Sequence, residues 1–398
     1  MRRLALLLGF CGLLAQQGLH SAPRQGPAPG VAPAQGPTPR VASAQASTPG
    51  VPGPANAAEL PAVPPAAPGQ PGAAPLAPQG ALSAEFPATG QPFADWLTDL
   101  RSEALARGYP ETVVRNLDGL LPLQRVIAAD RSQAELTPGF DRYLSSRLTR
   151  LMVSRGQALA RTNRTTLSRV EERFSVQREI VLAIWGLETR YGRVTGNTPV
   201  LRALATLAWE PRRAAFFRGE LFDALTMVSK RHVDAHAMTG SWAGAMGQTQ
   251  FMPSSYLKYA VDFDKDGRRD IWKSVPDALG SIANYLKGYD WKSGETWGRE
   301  VKVPDAARER MAADGVTLRT QGCYAIRNMT ERRKLSDWTG FGVRRANGTA
   351  LPRADMNASL VTTGDDRTFL VYQNYESLLG YNCAHYYALS VALLADRL

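Results

Sequence analysis

The run Ile180-Val-Leu-Ala-Ile-Trp-Gly-Leu-Glu188-Thr-Arg-Tyr-Gly192 is the stretch from which the rest of the chain is best read. Ile180, Ile184 and Glu188 fall at i, i+4 and i+8, so the spacing predicts a helix whose inward apolar face also carries a carboxylate. Burial penalises only the charged form of a carboxyl, which keeps such a glutamate protonated near neutral pH and able to donate to a leaving oxygen. Gly192 is expected to stop this helix, and Ser175 to cap its start. Taken alone, Glu188 reads as a solvated polar residue at a fraying helix end. A second segment changes that reading: Gly240-Ser-Trp-Ala-Gly-Ala-Met-Gly-Gln-Thr-Gln-Phe-Met-Pro-Ser-Ser-Tyr256, rich in small residues and interleaved with polar and aromatic ones.

Working outward, Met1-Arg-Arg3 followed by the apolar run Leu4–Leu14 predicts an export signal, residues 1–22, with cleavage at Ser21-Ala22. Cys11 follows the bulky Phe10, where lipid attachment expects a small residue, so cleavage beyond it is favoured over a lipoprotein anchor. No later stretch has the roughly twenty apolar residues needed to cross a bilayer, so no transmembrane helix is expected in the mature chain. Residues 23–88, built from Pro, Ala, Gly, Gln and Ser, carry too few large apolar side chains for a core and read as a disordered linker. The 398-residue chain has a net charge of +11 and a pI near 9.7, which implies an anionic partner. With export expected and no basic run tied to a recognition motif, nucleic acid is excluded in favour of an anionic cell-wall polymer.

Residues 89–398 have globular composition. Helical spacing runs from Phe93 to Phe174, with a start at Pro110-Glu111 and a break at Pro138-Gly139, and recurs over Arg212–Val233 and over Val275–Leu286, the last opened by Ser274 and Pro276. Shorter runs of β-formers between Arg299 and Gln373 predict a small sheet, and residues 376–398 return to helix. The expected fold class is therefore α+β, mainly α. Cys323 and Cys383 remain beyond the signal; spacing leaves open whether they pair or stay as two buried thiols.

The ordered motifs Glu188-Thr-Arg-Tyr-Gly192, Gly196-Asn-Thr-Pro through Ala208, Pro211-Arg-Arg through Leu221, the Gly240–Tyr256 segment and Gly380-Tyr-Asn-Cys-Ala-His-Tyr-Tyr-Ala388 resemble the lytic murein transglycosylase B family over residues 92–398. The resemblance implies a goose-lysozyme-like helical core, about 175–295, within a larger helical domain, a small β region about 299–373 and a C-terminal helix about 376–398. It implies cleavage of the MurNAc-β-1,4-GlcNAc bond of peptidoglycan in the periplasm of a Gram-negative envelope. Glycan strands are then the partner, with envelope proteins as further candidates. Glu188 would act first as acid and then as base, closing a 1,6-anhydro ring without water and without a cofactor for the chemistry. By motif position Ser241, Gln250, Tyr285, Tyr381 and Asn382 would bind substrate, with weaker support for Trp242 and Tyr256. Gly244, Ala245 and Gly247 would admit the sugar to the backbone, and tyrosine rings would stack on pyranoses. Thr189 stands where the wider superfamily usually has serine, and Ala384 where serine is common. The alternatives are a lysozyme-type hydrolase, which needs a second carboxylate such as Glu210 or Asp223 facing Glu188, and a glycan-binding scaffold without turnover.

A further pattern, Asp262-Phe-Asp-Lys-Asp-Gly-Arg-Arg-Asp270, places Asp262, Asp264, Asp266, the Arg268 carbonyl and Asp270 at positions one, three, five, seven and nine of an EF-hand-type loop, with Gly267 at the turn. Lys273 occupies the position of the usual closing glutamate. The resemblance supplies Asp277 as the closing ligand of a structural calcium site. His232 and His236, spaced as in a zinc protease, lack the intervening glutamate and a third ligand, and read as helix-surface residues.

Overall fold

The computed structural model describes residues 90–131 and 139–398; the expected signal and linker segments lie outside the described residues. Helices α1 (Phe93–Ala106), α2 (Glu111–Val114) and α3 (Gln124–Arg131) are followed by α4 (Phe140–Arg147), α5 (Arg150–Thr162), α6 (Arg164–Phe174) and α7 (Arg178–Thr189). A two-residue strand β1 (Thr198–Pro199), helices α8 (Val200–Trp209) and α9 (Ala214–Ser229), strand β2 (Thr239–Gly240), and helices α10 (Pro253–Tyr259) and α11 (Val275–Gly288) complete the helical part. Then come β3 (Gly298–Lys302), α12 (Asp305–Ala313), α13 (Tyr324–Arg327), β4 (Arg333–Lys334), α14 (Leu335–Phe341), β5 (Arg344–Arg345), β6 (Asn357–Thr362), β7 (Thr368–Val371), α15 (Gln373–Tyr381) and α16 (His385–Ala395). The fold is mostly helical with an antiparallel sheet, as the sequence pattern predicts.

Helix α7 is the axis of the core. Ile180 through Leu187 are all buried, so the helix is apolar on every side and must be surrounded. Helices α4, α6, α11, α15 and α16 join their buried side chains with those of α7 in one cluster, and partly buried side chains of α5 pack against it. Helix α16 suits this position because its own residues from Tyr387 to Val391 are buried without a polar face. A second cluster unites α1–α3 with α8–α10, and Tyr285 of α11 belongs to it. In the sheet the strand order is β4-β6-β7-β3-β5, every neighbouring pair antiparallel, and Leu360 sits opposite Leu370 in the central register. Arg367, at the β6–β7 turn, grips Glu300 of β3 through two nitrogens and reaches Asp141 of α4, tying sheet to helices.

Several local expectations are corrected. Ser175, at φ 58°, ends α6 rather than capping α7, whose first turn starts at Gln177. Helix α7 stops three residues before Gly192, because Arg190 and Tyr191 already take left-handed conformations (φ 53° and 61°). Their amides return to the carbonyls of Gly186 and Trp185, closing the last turn. The region 299–373 contains three helices besides its strands, and residues 376–398 form two helices broken at Asn382–Ala384. Ser274 does open α11, its Oγ accepting the Asp277 amide at 3.2 Å. His232 and His236 lie beyond the end of α9 at Ser229, in the connection to β2, rather than on a helix surface.

Candidate active site

Glu188 stands in the last turn of α7 and is half-buried. Tyr191 fixes that turn from behind: a Cβ on Gly186 would stand 2.7 Å from its ring, and its hydroxyl donates to the Met152 carbonyl at 3.1 Å. Thr189 fixes it from the side. Its oxygen accepts the Gly192 amide at 2.9 Å, and its proton lies between the carbonyls of Gln248 and Trp185 at 3.1 and 3.2 Å. The hydroxyl required at this position is therefore supplied by threonine, whose methyl is buried with it.

The Gly240–Tyr256 segment is brought alongside by the β1–β2 pair, Thr198 opposite Gly240. Gln248 anchors it to α7 by accepting from Trp185 Nε1 at 3.0 Å and donating to the Trp272 carbonyl at 3.2 Å. The small residues here serve the loop itself: a Cβ on Gly247, at φ 60°, would meet the Ile271 carbonyl at 2.6 Å, and Gly244 faces Leu204. Ala245 is buried. The glycines at 244 and 247 are thus required by close protein packing, whatever approaches the backbone from the other side.

Ser241 is buried; its Oγ accepts the amides of Ala243 and Ala245 at 3.3 and 3.1 Å, leaving its proton to donate. Gln250, half-buried at φ 52°, donates its amide nitrogen to the carbonyls of Thr195 and Gly247 at 3.1 and 2.9 Å. Its Oε1 acceptor remains for a ligand. Tyr285 is buried, its hydroxyl donating to the Gly380 carbonyl at 2.8 Å. Its ring stacks on Tyr289 at 4.8 Å and tilts against Tyr381 at 4.7 Å. It underlies the site rather than offering a face to a sugar. Tyr381 is half-buried and donates to the Thr249 carbonyl at 2.7 Å. The phenol hydroxyls expected to bind sugar substituents are thus engaged by backbone. Asn382, also half-buried, has a buried Oδ1 with no partner. Tyr256 is fully buried and donates to the Arg269 carbonyl, while Trp242 is half-buried.

Tyr387, which sequence reasoning missed, is the side chain hydrogen-bonded to Glu188. Its hydroxyl donates to Glu188 Oε1 at 2.6 Å, and its ring lies parallel to that of Tyr381 at 6.4 Å. The signal was present: Tyr387 falls within the Gly380–Ala388 motif, though nothing in its spacing from Glu188 indicates contact. Burial pushes the Glu188 carboxyl up to about 7, against the opposing pull of the Tyr387 bond and the Arg147 charge. Glu210 is held instead by Arg131.

At the acidic loop, carboxylate oxygens of Asp262, Asp264, Asp266 and Asp277 lie within 4.8 Å of one another. Four convergent hard oxygens fit a calcium ion. Asp277, buried, also accepts the amides of Phe263, Asp264 and Asp270, which folds the loop around it. Asp270 is turned away, its Oδ1 accepting the amides of Trp272 and Lys273 at 2.9 Å each, and stands outside the converging set. The Arg268 amide is held by Asp266.

Known proteins similar to this chain are transglycosylases. The family described as Transglycosylase SLT domain matches residues 92–396. A 155-residue stretch is 45% identical to the membrane-bound lytic murein transglycosylase B of Escherichia coli (strain K12), covering 39% of this chain and 43% of that protein. The match therefore spans less than half the length of that curated relative. Among solved structures, SltB3 from Pseudomonas aeruginosa in complex with NAG-NAM-pentapeptide is 41% identical at a TM-score of 0.69, over 77% of this chain and 79% of that one. The lytic transglycosylase Slt35 of Escherichia coli in complex with calcium is 29% identical at a TM-score of 0.64, over 77% and 93%.

Proposed function

The chain belongs to the Transglycosylase SLT domain family, and from that premise we propose that it is a peptidoglycan lytic transglycosylase in which Glu188 is acid and then base. One observation carries the assignment of roles: a glutamate whose carboxyl is pushed up to about 7 has Tyr387 as hydrogen-bond donor on one oxygen. In the protonated state Glu188 gives its proton to the glycosidic oxygen of the MurNAc-β-1,4-GlcNAc bond, and the C1–O bond breaks. The resulting carboxylate is stabilised by the Tyr387 hydroxyl and by the Arg147 charge. It then accepts the proton of the muramoyl C6 hydroxyl, whose oxygen bonds to C1 and closes the 1,6-anhydro ring. Glu188 ends protonated again, and no water enters.

Gln250 Oε1, the Ser241 hydroxyl and Asn382 supply the polar contacts that orient the sugars, with Tyr381 beside them. Tyr285 supports Tyr381 from beneath. Asp262, Asp264, Asp266 and Asp277 would hold a calcium ion whose contribution is structural, pinning the start of α11. The export signal at 1–22 and the linker at 23–88 would deliver residues 89–398 to the peptidoglycan of the periplasm. Among the described residues no helix is long and apolar enough to cross a membrane. Incubating the purified protein and its Glu188→Gln variant with sacculi tests the reading. Anhydro-muramoyl products from the first alone support it, and equal release by both refutes it.

A further inference from the structure

The break between α15 and α16 is only Asn382, Cys383 and Ala384, in which Asn382 and Ala384 are extended (φ −151° and −141°). Its arms carry the two tyrosines of the site. Tyr381 is the last residue of α15, and Tyr387 lies in the first turn of α16. Local backbone bonding at this elbow is sparse: the Asn382 amide reaches Leu378 at 3.2 Å and the Ala384 amide reaches Asn382 at 2.8 Å. The firmer restraint comes from elsewhere in the chain. Cys383 forms a disulfide with Cys323, 60 residues away, at a Cα–Cα distance of 6.4 Å. Cys323 is the N-cap of α13, whose Ala325 and Ile326 pack in the same core as the elbow. His385, on the far side of the break, is held by Tyr375 of α15, Nδ1 to hydroxyl 2.8 Å.

We infer that the Cys323–Cys383 bond is a positioning element for the reaction: it fixes the α15–α16 elbow so that the Tyr387 hydroxyl reaches Glu188, and opening it lowers turnover. This rests on the reading of Glu188 as the acid. The groups that face Glu188 are Tyr387 on α16 and Arg147 on α4. Tyr381 on α15 also feels the Glu188 charge, and Tyr143 on α4 acts on Tyr387. Arg147 and Tyr143 belong to α4, whereas Tyr387 lies in the first turn after the elbow. Misplacing a catalytic hydrogen bond by about 1 Å is enough to change a rate by up to about a hundredfold. Both cysteines are half-buried, so a small dithiol can reach them. A thiolate of the dithiol attacks one sulfur and the S–S bond breaks. The second thiolate then releases the mixed disulfide, leaving two protein thiols and the oxidised dithiol.

The test compares the oxidised protein, the protein reduced with dithiothreitol and alkylated, and the Cys323→Ala/Cys383→Ala double variant. Each is examined with and without Tyr387→Phe, with folding checked by circular dichroism. Glu188 is titrated through its carboxyl carbon by NMR, and kcat and KM are measured on sacculi. Opening the bond is expected to raise the Glu188 titration midpoint and lower kcat roughly tenfold with little change in KM, while adding nothing in the Tyr387→Phe background. An unmoved titration with kcat intact overturns the inference. So do independent losses that multiply in the double background, or unfolding of the opened protein, which would make the bond a stability staple only. If the titration moves but the oxidised protein releases no product, the bond still places Tyr387 on Glu188, whereas the functional reading, and with it the effect on turnover, fails.

Discussion

The Tyr387 hydroxyl lies 2.6 Å from Glu188 Oε1, joining residues 199 apart in sequence into one proton-handling pair. The bond favours the ionised carboxylate, whereas burial favours the neutral acid and is the larger influence. Together they hold the group where it can both give and take a proton near neutrality.

Replacing Tyr387 by phenylalanine removes the donor and keeps the ring. The Glu188 carboxyl should then titrate higher than about 7, moving the limb of the pH–rate profile set by loss of the acid toward alkaline pH. Turnover should fall by about ten- to a hundredfold, because the carboxylate formed in the first step loses its stabilising partner. A pH–rate profile on solubilised glycan strands checks this; an unmoved limb would mean that the hydroxyl has no hold on the acid.

Glu188 also makes stability depend on pH. Its folded-state value is raised from 4.5 to about 7, so its contribution is fully present below 4.5 and is lost as pH rises through 7. Glu188→Gln should therefore be more stable than the parent above pH 7, by about 2–3 kcal/mol, with the gap closing toward pH 4.5. Urea denaturation at several pH values measures the gap. A constant offset across that window would contradict a buried, raised carboxyl.

Thr189 holds the end of α7 to the Gln248 segment through its hydroxyl. Thr189→Ser keeps these bonds and should cost about 1 kcal/mol for the buried methyl, with activity largely retained. Thr189→Val keeps the shape but leaves the Gly192 amide unpaired, and should cost about 2–3 kcal/mol and reduce activity. Equal effects of the two substitutions on melting temperature and turnover would show that the methyl, not the hydroxyl, matters here.

The acidic loop gives a prediction that separates its members. Calcium should raise the melting temperature, by an amount that grows with its concentration over the dissociation constant. Asp262→Ala should abolish that response. Asp270→Asn should preserve it, since the Asp270 oxygen holds the Trp272 and Lys273 amides and lies outside the convergent set. Calorimetry with and without a chelator distinguishes them.

The helical core was legible because the apolar runs of α7, α11 and α16 are longer than a buried strand. Glu188 was legible for the same reason, as a carboxylate on an apolar face. Helix ends were less so: Arg190 and Tyr191 adopt left-handed backbone that residue type does not announce, and tertiary contacts of Tyr191 with Gly186 and Met152 enforce it. The roles of the tyrosines were hidden because burial decides them. Tyr285 and Tyr381 look alike in a motif, yet one is inside the aromatic core and the other half-open. Tyr387 meets Glu188 through tertiary packing at the start of α16, and the disulfide could not be read from spacing.

The most direct test of the central claim is mass spectrometry of muropeptides released from sacculi in water enriched in oxygen-18. Intramolecular closure by the C6 hydroxyl predicts 1,6-anhydro-muramoyl ends carrying no heavy oxygen, and their loss in Glu188→Gln. Reducing ends bearing one heavy oxygen would show that water attacks C1, and the protein would then be a hydrolase.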